Sequence, residues 1–244
     1  MSIIVPTQAS LGQSGGLMAS RALASDPLVD ILFSFRFQTY LTKGTAIGVF
    51  SDAAGTIPAI PSNPIKNWKD VLSTSGEAYI QATTASCGIL NQSGGVFYLT
   101  SDELTTAYPP ISNLTTGNAV TILCRSSDGM GLRILDSSAL NGLVNPYRSG
   151  LPFFVGGVVS TSNITTDGLW HTATLVCPSA GNFSAFIDGV DVTTGAVGTG
   201  NFGPVALFRG GAANEGQTCD LIAVMCYPSS YRVRVETYLA NLPT

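Results

Sequence analysis

The chain has 244 residues, of which 45% are hydrophobic and only 11% charged, against a usual charged share of about 25%. Its formal net charge is −4 and its eleven Lys and Arg are scattered singly, so no basic stripe stands ready to neutralise phosphates and nucleic acid is not an expected partner. Nothing approaches the ~20 consecutive apolar residues of a membrane span; the most apolar early stretch, Ile31 to Phe37, is interrupted by Ser34 and Arg36.

A chain of this length suits one β-sandwich, which runs to roughly 250 residues. It buries about three quarters of its unfolded surface, enough for a large core without metals or disulfides. Low charge with abundant Gly, Ser, Thr and Asn makes a neutral, hydroxyl-rich surface, suited to contact with other subunits or with sugars.

In chain order, residues 1–28 are rich in Ser, Ala and Gly, lack strand alternation and read as an N-terminal arm that docks on something else, with a short helical turn around Leu17 to Leu23. The opening Met1-Ser2-Ile3-Ile4-Val5-Pro6 carries no positive region, apolar core and cleavage site, so no secretory leader is expected. Residues 29–244 read as the sandwich domain. Ile31, Phe33, Phe35 and Phe37 alternate with Ser34, Arg36 and Gln38, the period-2 signature of a half-buried strand. Further strands are predicted over 46–50, 95–99, 119–125, 131–135, 153–159, 169–176, 183–188, 204–209 and 218–227. Turn signals separate them, including Tyr108-Pro109-Pro110, Asp128-Gly129, Asn141-Gly142, Asp188-Gly189 and Gly210-Gly211. The Pro-rich stretch from Ile57 to Pro64 reads as a surface loop within one domain. After Tyr227-Pro228 the spacing of Tyr231, Val235, Tyr238 and Leu239 predicts a short amphipathic helix, with Ser229 or Ser230 placed to cap it and the sheet edge or rim as its seat. No repeat of 20 to 50 residues argues for a solenoid or propeller.

Five cysteines, at 87, 124, 177, 219 and 226, make an odd number without a Cys-x-x-Cys pair. A zinc site is therefore not expected, and free buried thiols made in a reducing cytosol are the plain reading.

Three ordered segments resemble the concanavalin A-like, laminin G and pentraxin jelly-roll superfamily. The first is Phe50-Ser51-Asp52-Ala53-Ala54-Gly55 followed by Trp68-Lys69-Asp70-Val71, Gly76 and Gln81-Ala82-Thr83. The second is Asp167-Gly168-Leu169-Trp170-His171 leading to Phe186-Ile187-Asp188-Gly189. The third is Asp220 to Tyr227 followed by Glu236-Thr237-Tyr238-Leu239-Ala240. The likeness spans residues 47–241 and resembles the type found in phage structural proteins. Phe50 stands where many relatives have Trp, and Pro228 interrupts the usual strand-to-helix link. The resemblance implies an all-β, two-layer antiparallel sandwich with a short C-terminal helix. It also implies that Cys124 and Cys177, which look like the paired cysteines of pentraxins, lie close together in the core, either bonded or as two small apolar fillers.

Catalytic and cofactor motifs are missing from the pattern. The lone His171 has no nucleophile motif beside it and reads as structural. The four Glu, at 77, 103, 215 and 236, form no array of the kind glycoside hydrolysis needs, and adjacent Asp102 and Glu103 would face opposite ways in a strand. No catalytic, cofactor-binding or metal residue is therefore nominated. Calcium is the one ion entertained, through the turn residues Asp128, Asp188, Asp191 and Asp220, although aspartate in turns more often serves the backbone. The sequons at Asn91, Asn113, Asn163 and Asn182 reflect Ser/Thr-rich composition.

The expected function is that of a non-enzymatic virion surface protein of a phage: a capsid decoration protein, head fibre or tail-fibre subunit. It would be made in the host cytoplasm, with other virion proteins or copies of itself as partners and a homo-oligomeric state. The alternative is a lectin-like module for cell-surface glycans, with Tyr108, Tyr147 and Trp68 as candidate aromatic contributors but no site assigned. A polysaccharide-degrading enzyme is the least favoured class.

Overall fold

In this computed structural model the described residues are 31–34, 36–38, 45–69, 78–93, 96–101, 108–114, 118–126, 134–137, 142–144, 147, 152–155, 158–177, 182–195, 203–208 and 218–241. The arm over residues 1–28, its turn at Leu17 to Leu23, the Asp128-Gly129 turn, and Glu77, Asp102, Glu103 and Glu215 lie outside them. In chain order the strands begin with β1 (Ile31–Ser34), β2 (Arg36–Gln38), β3 (Thr45–Ile47), β4 (Val49–Phe50), β5 (Asn67–Lys69) and β6 (Ala78–Ile80). Next come β7 (Ile89–Ser93), β8 (Val96–Thr100), β9 (Tyr108–Leu114), β10 (Asn118–Arg125), β11 (Leu135–Ser137), β12 (Gly142–Val144) and β13 (Phe153–Val155). The series closes with β14 (Val158–Ser160), β15 (His171–Val176), β16 (Ser184–Ile187), β17 (Val190–Asp191), β18 (Gly203–Leu207), β19 (Asp220–Pro228) and the α-helix α1 (Arg232–Ala240).

Two large antiparallel sheets result. The eight-stranded sheet runs β17-β16-β15-β10-β19-β8-β7, with β1 also paired to β19; the six-stranded sheet runs β14-β13-β12-β11-β18-β9. Smaller sheets are formed by β2-β3 and β4-β5-β6. One apolar interior serves the two large sheets and the β4-β5-β6 sheet. Leu90, Phe97, Leu99, Val120, Ile122, Leu175 and Val224 of the eight-stranded sheet meet Tyr108, Val144, Phe153, Val159 and Leu207 of the six-stranded one, with Val49, Trp68 and Tyr79 closing one end. Each large side chain so buried contributes roughly 1.5–3 kcal/mol, so this shared interior is what makes the domain a β-sandwich.

The centre of the eight-stranded sheet is buried on both faces. In β10, Val120, Ile122 and Cys124 point into the interior, while Ala119 and Leu123 join a second apolar cluster on the outer face with Val235 and Leu239 of α1. That explains why Ala119 to Cys124 lacks hydrophilic alternation: a strand covered twice reads as an apolar run. The register shift between Leu123 and Cys124 sets Leu123 opposite Ala223 and Cys124 opposite Leu221. Ile222 is the extra residue of a β-bulge, and both Ile222 and Ala223 consequently face outward.

The helix thus lies over the outer face of β10, β15 and β19, not over an edge or rim as its amphipathic pattern suggested. A face this apolar has more to bury than an edge has to block. The serine cap is also absent: Ser229–Tyr231 form a 3-10 turn, and Tyr231 at the helix N-cap makes no side-chain cap bond. Under the helix several polar groups pair with one another. Thr121 Oγ1 lies 2.7 Å from Thr174 Oγ1 and 2.6 Å from the Tyr227 hydroxyl. Arg232 donates from Nη1 to Glu236 Oε2 at 2.6 Å and stacks over the Phe186 ring at 3.7 Å.

Two other elements depart from expectation. The segment 153–159 is a hairpin of β13 and β14, not one strand. Tyr108-Pro109-Pro110 opens β9 instead of marking a turn, which is tolerated because β9 is an edge strand where prolines need not donate to a neighbour. The expected Asp188-Gly189 turn is present, with φ of 50° and 78° joining β16 to β17. Positive φ at both central residues matches the twist of the flanking strands.

Candidate functional site

Each of the two doubly covered strands ends in a charge. Register sets Arg125, the last residue of β10, opposite Asp220, the first of β19, and sets Asp220 opposite Thr100 of β8. Three neighbouring strands therefore deliver one polar side chain each to the same level of the sheet. Arg125 Nε donates to Asp220 Oδ2 at 2.8 Å, the Thr100 hydroxyl donates to Asp220 Oδ1 at 2.6 Å, and Asn91 Nδ2 of β7 donates to Thr100 Oγ1 at 2.8 Å.

Two aromatic rings complete the row. The Arg125 guanidinium carbon lies 4.5 Å from the ring centroid of Trp170, just before β15, and 4.9 Å from that of Tyr98, on β8. The rings meet edge to face with centroids 5.8 Å apart. Both are half-buried against the outer cluster, and adjacent Leu169 is exposed. The Arg125 and Asp220 side chains keep 28% and 18% of their surface, so the row sits at the surface yet is held rigidly. Stacking over an aromatic is worth about 0.5–1 kcal/mol at such a site, and a partly exposed ion pair adds up to about 1 kcal/mol. Both carboxylate oxygens are engaged, whereas neither Arg125 Nη group has a hydrogen-bond partner among the described residues. An open guanidinium edge between aromatic walls is a site for a flat, polar, oxygen-bearing ligand.

The aromatics nominated from sequence are elsewhere. Trp68 is 0% exposed and Tyr108 and Tyr147 are 2% exposed. Trp68, Tyr79 and Tyr108 form an interior chain with ring centroids 6.3 and 6.2 Å apart. The Tyr108 hydroxyl donates to Ile65 O at 2.6 Å and accepts from Gly88 N at 3.2 Å. Burial pushes its ionisation far above the usual tyrosine value. None of the three offers a surface to a ligand.

His171 is gripped by two carboxylates. Its Nδ1 lies 2.7 Å from Asp188 Oδ2 in the hairpin turn and its Nε2 lies 3.0 Å from Asp167 Oδ1. Asp188 Oδ1 also accepts from Thr172 N at 2.9 Å. Burial works against the imidazolium, but the hydrogen bonds from Asp188 and Asp167 outweigh it and raise the histidine pKa above 6.5. Asp167 is lowered in turn, first by the Leu169 backbone N–H and then by His171. The histidine thus ties the Asp167-Gly168-Leu169 segment to the β16–β17 turn.

Of the four aspartates entertained for calcium, Asp128 lies outside the described residues and the other three have partners. Asp188 holds His171 and Thr172, Asp220 holds Arg125 and Thr100, and Asp191 accepts from Thr193 N at 2.9 Å. Among the described residues no three His, Cys, Asp or Glu converge as a metal would require. Cys124 and Cys177 are not neighbours. Both are buried, but Cys124 stands opposite His171 at one end of β15, while Cys177 N bonds Asn118 O at the other. Six residues of strand separate them, about 20 Å at ~3.3 Å each. They act as two separate apolar fillers.

Arg125, Tyr98 and Thr100 were not singled out in the sequence, Asp220 was entertained only for calcium, and Trp170 entered only through the family resemblance. The signal was present in two apolar runs, Ala119 to Cys124 and Leu221 to Tyr227, each with a single charge at the end where antiparallel pairing makes them meet. Only the register, set by the bulge, shows that they do.

No family model matches this chain, and no curated protein matches it. Solved structures share its backbone. A GH54 α-L-arabinofuranosidase soaked with a cyclic sulfate inhibitor superposes with a TM-score of 0.56 at 9% identity, over 90% of this chain and 64% of that one. The binding domain of Paraclostridial Mosquitocidal Protein 1 gives 0.53 at 9% identity, over 89% and 52% respectively. The likeness is one of fold. The chain spans about half the length of the toxin domain and under two thirds of the hydrolase.

Proposed function

We propose that this chain is a non-enzymatic adhesive domain that binds glycans through the outer face of its eight-stranded sheet, with the surface of a phage particle as its setting. The row Asn91, Thr100, Asp220, Arg125 with Tyr98 and Trp170 carries the reading. It joins half-exposed aromatic surface to a pre-positioned planar polar group, the pairing that holds a sugar ring by its C–H faces and its oxygens. The fold suits the role, since it also serves as the binding domain of a mosquitocidal protein.

A non-catalytic assignment rests on His171. A general base needs an unoccupied ring nitrogen facing substrate, whereas both nitrogens here face carboxylates and the raised pKa favours the doubly protonated ring. The virion setting rests on the low charge, the odd number of cysteines and the Gly/Ser/Ala-rich residues 1–28 as a docking arm onto other subunits or further copies of the chain.

A glycan screen tests the binding claim. Binding that is weakened at least tenfold by Trp170→Ala, with thermal unfolding still cooperative, is the expected result; a screen without binders refutes it. Deleting residues 1–28 tests the setting, and is expected to abolish particle incorporation while the sandwich stays folded. Incorporation at the normal level refutes the docking arm.

A further inference from the structure

The ligand's chemical class is written in what the row leaves open. A neutral sugar presents hydroxyls that both donate and accept, and a site for one usually offers both kinds of group. Here each oxygen of the strongest acceptor already takes a hydrogen bond from within the row. Asp220 takes the Arg125 Nε–H on one oxygen and the Thr100 hydroxyl on the other. Thr100 spends its proton on Asp220 and receives the Asn91 amide. The Asn91 carboxamide belongs to β7, three strands from β10, about 14 Å away at ~4.8 Å per strand.

What remains at the head of Arg125 itself is donor capacity. The two Nη groups project as a fork with no hydrogen-bond partner among the described residues, and the indole N–H of Trp170 has none either. Tyr98 and Trp170 hold the guanidinium between them, with its carbon 4.9 and 4.5 Å from their ring centroids. An oriented donor fork matches a group that only accepts and carries two coplanar oxygens, which is a carboxylate. The Asp220 charge is neutralised through Nε and does not occupy the Nη edge.

We infer that the row selects glycans bearing a carboxylate, with Arg125 clamping that carboxylate through its Nη edge and Trp170 packing against the sugar ring. This rests on the glycan-binding reading above and adds to it the class of sugar.

The test is calorimetric titration of the full chain with a sialylated trisaccharide and trigalacturonate, each against its neutral counterpart, lactose and the trigalacturonate methyl ester. Wild type is expected to bind the two acids at least tenfold more tightly than the neutral sugars. Arg125→Gln should remove the preference. Arg125→Lys keeps the charge without the fork and should lose most of it. Lysine also serves as the folded comparison should glutamine disturb the sheet end. Equal binding of acids and neutral partners, or a preference that survives in both variants, overturns the carboxylate clamp while leaving glycan binding intact. Failure of the wild type to bind either acid also overturns the clamp, while the glycan reading itself falls only to the screen without binders.

Discussion

At the scale of single residues, His171 makes the sharpest claim. Its pKa is raised in the folded chain because Asp188 and Asp167 outweigh the cost of burial. A base with a raised folded-state pKa stabilises most when protonated in both states. Its contribution is therefore complete below the ordinary value of 6.5 and is lost as pH rises through the folded-state value. Denaturant unfolding from pH 6 upward should show stability falling across this window in wild type and flat behaviour in His171→Gln; parallel curves would show that the clamp carries no charge. Glu236 acts in the same direction in a lower window. Burial raises its pKa above 4.5 against the help of Thr174 and Arg232, so ionising it on the way up costs stability. The Tyr227 hydroxyl, paired with Thr121 under the helix, is worth about 1 kcal/mol. Tyr227→Phe should lower unfolding stability by that amount without altering the far-UV spectrum.

Among the elements, α1 and the β16–β17 hairpin depend on identifiable contacts. Leu239 and Val235 cover the doubly apolar centre of the eight-stranded sheet. Leu239→Ala should cost about 2–5 kcal/mol, and hydrogen exchange should quicken along β10 and β19. Exchange confined to α1 itself would mean that the helix is an appendage and not a cover. In the hairpin, Gly189 has φ of 78°, and Gly189→Ala should cost about 1–2 kcal/mol in left-handed strain, read from the thermal midpoint. Much of this level was legible beforehand. The strand over 119–125, the Asp188-Gly189 turn and the helix with Val235 and Leu239 on one face all follow from local spacing. The seat of the helix did not, because it depends on which face of a doubly apolar strand lacks a second sheet. The pairing of β9 through two prolines was hidden for the same kind of reason, since only the topology makes it an edge.

For the molecule as a whole, two sheets sharing one interior leave the outer face divided between a helix and a polar-aromatic row. The sandwich was readable from many short strands with turn residues between them. The candidate site was not, because its members are far apart in sequence and meet through register: Thr100 with Asp220, Asp220 with Arg125, and Arg125 with Trp170. Sequence favours tryptophans and tyrosines as surface platforms on residue type alone, whereas burial decides between them. Trp68, Tyr108 and Tyr147 fill the interior, while Trp170 and Tyr98 stay half-buried at the surface.

That division makes one measurement decisive, because the chain has only two tryptophans, one wholly buried and one in the row. Intrinsic fluorescence should be followed while a bound glycan is titrated into wild type, Trp170→Phe and Trp68→Phe. If the row is the site, the ligand-dependent change and the protection from acrylamide quenching persist in Trp68→Phe and vanish in Trp170→Phe. A glycan-dependent signal that survives unchanged without Trp170 would place the ligand elsewhere on the sandwich and contradict the account.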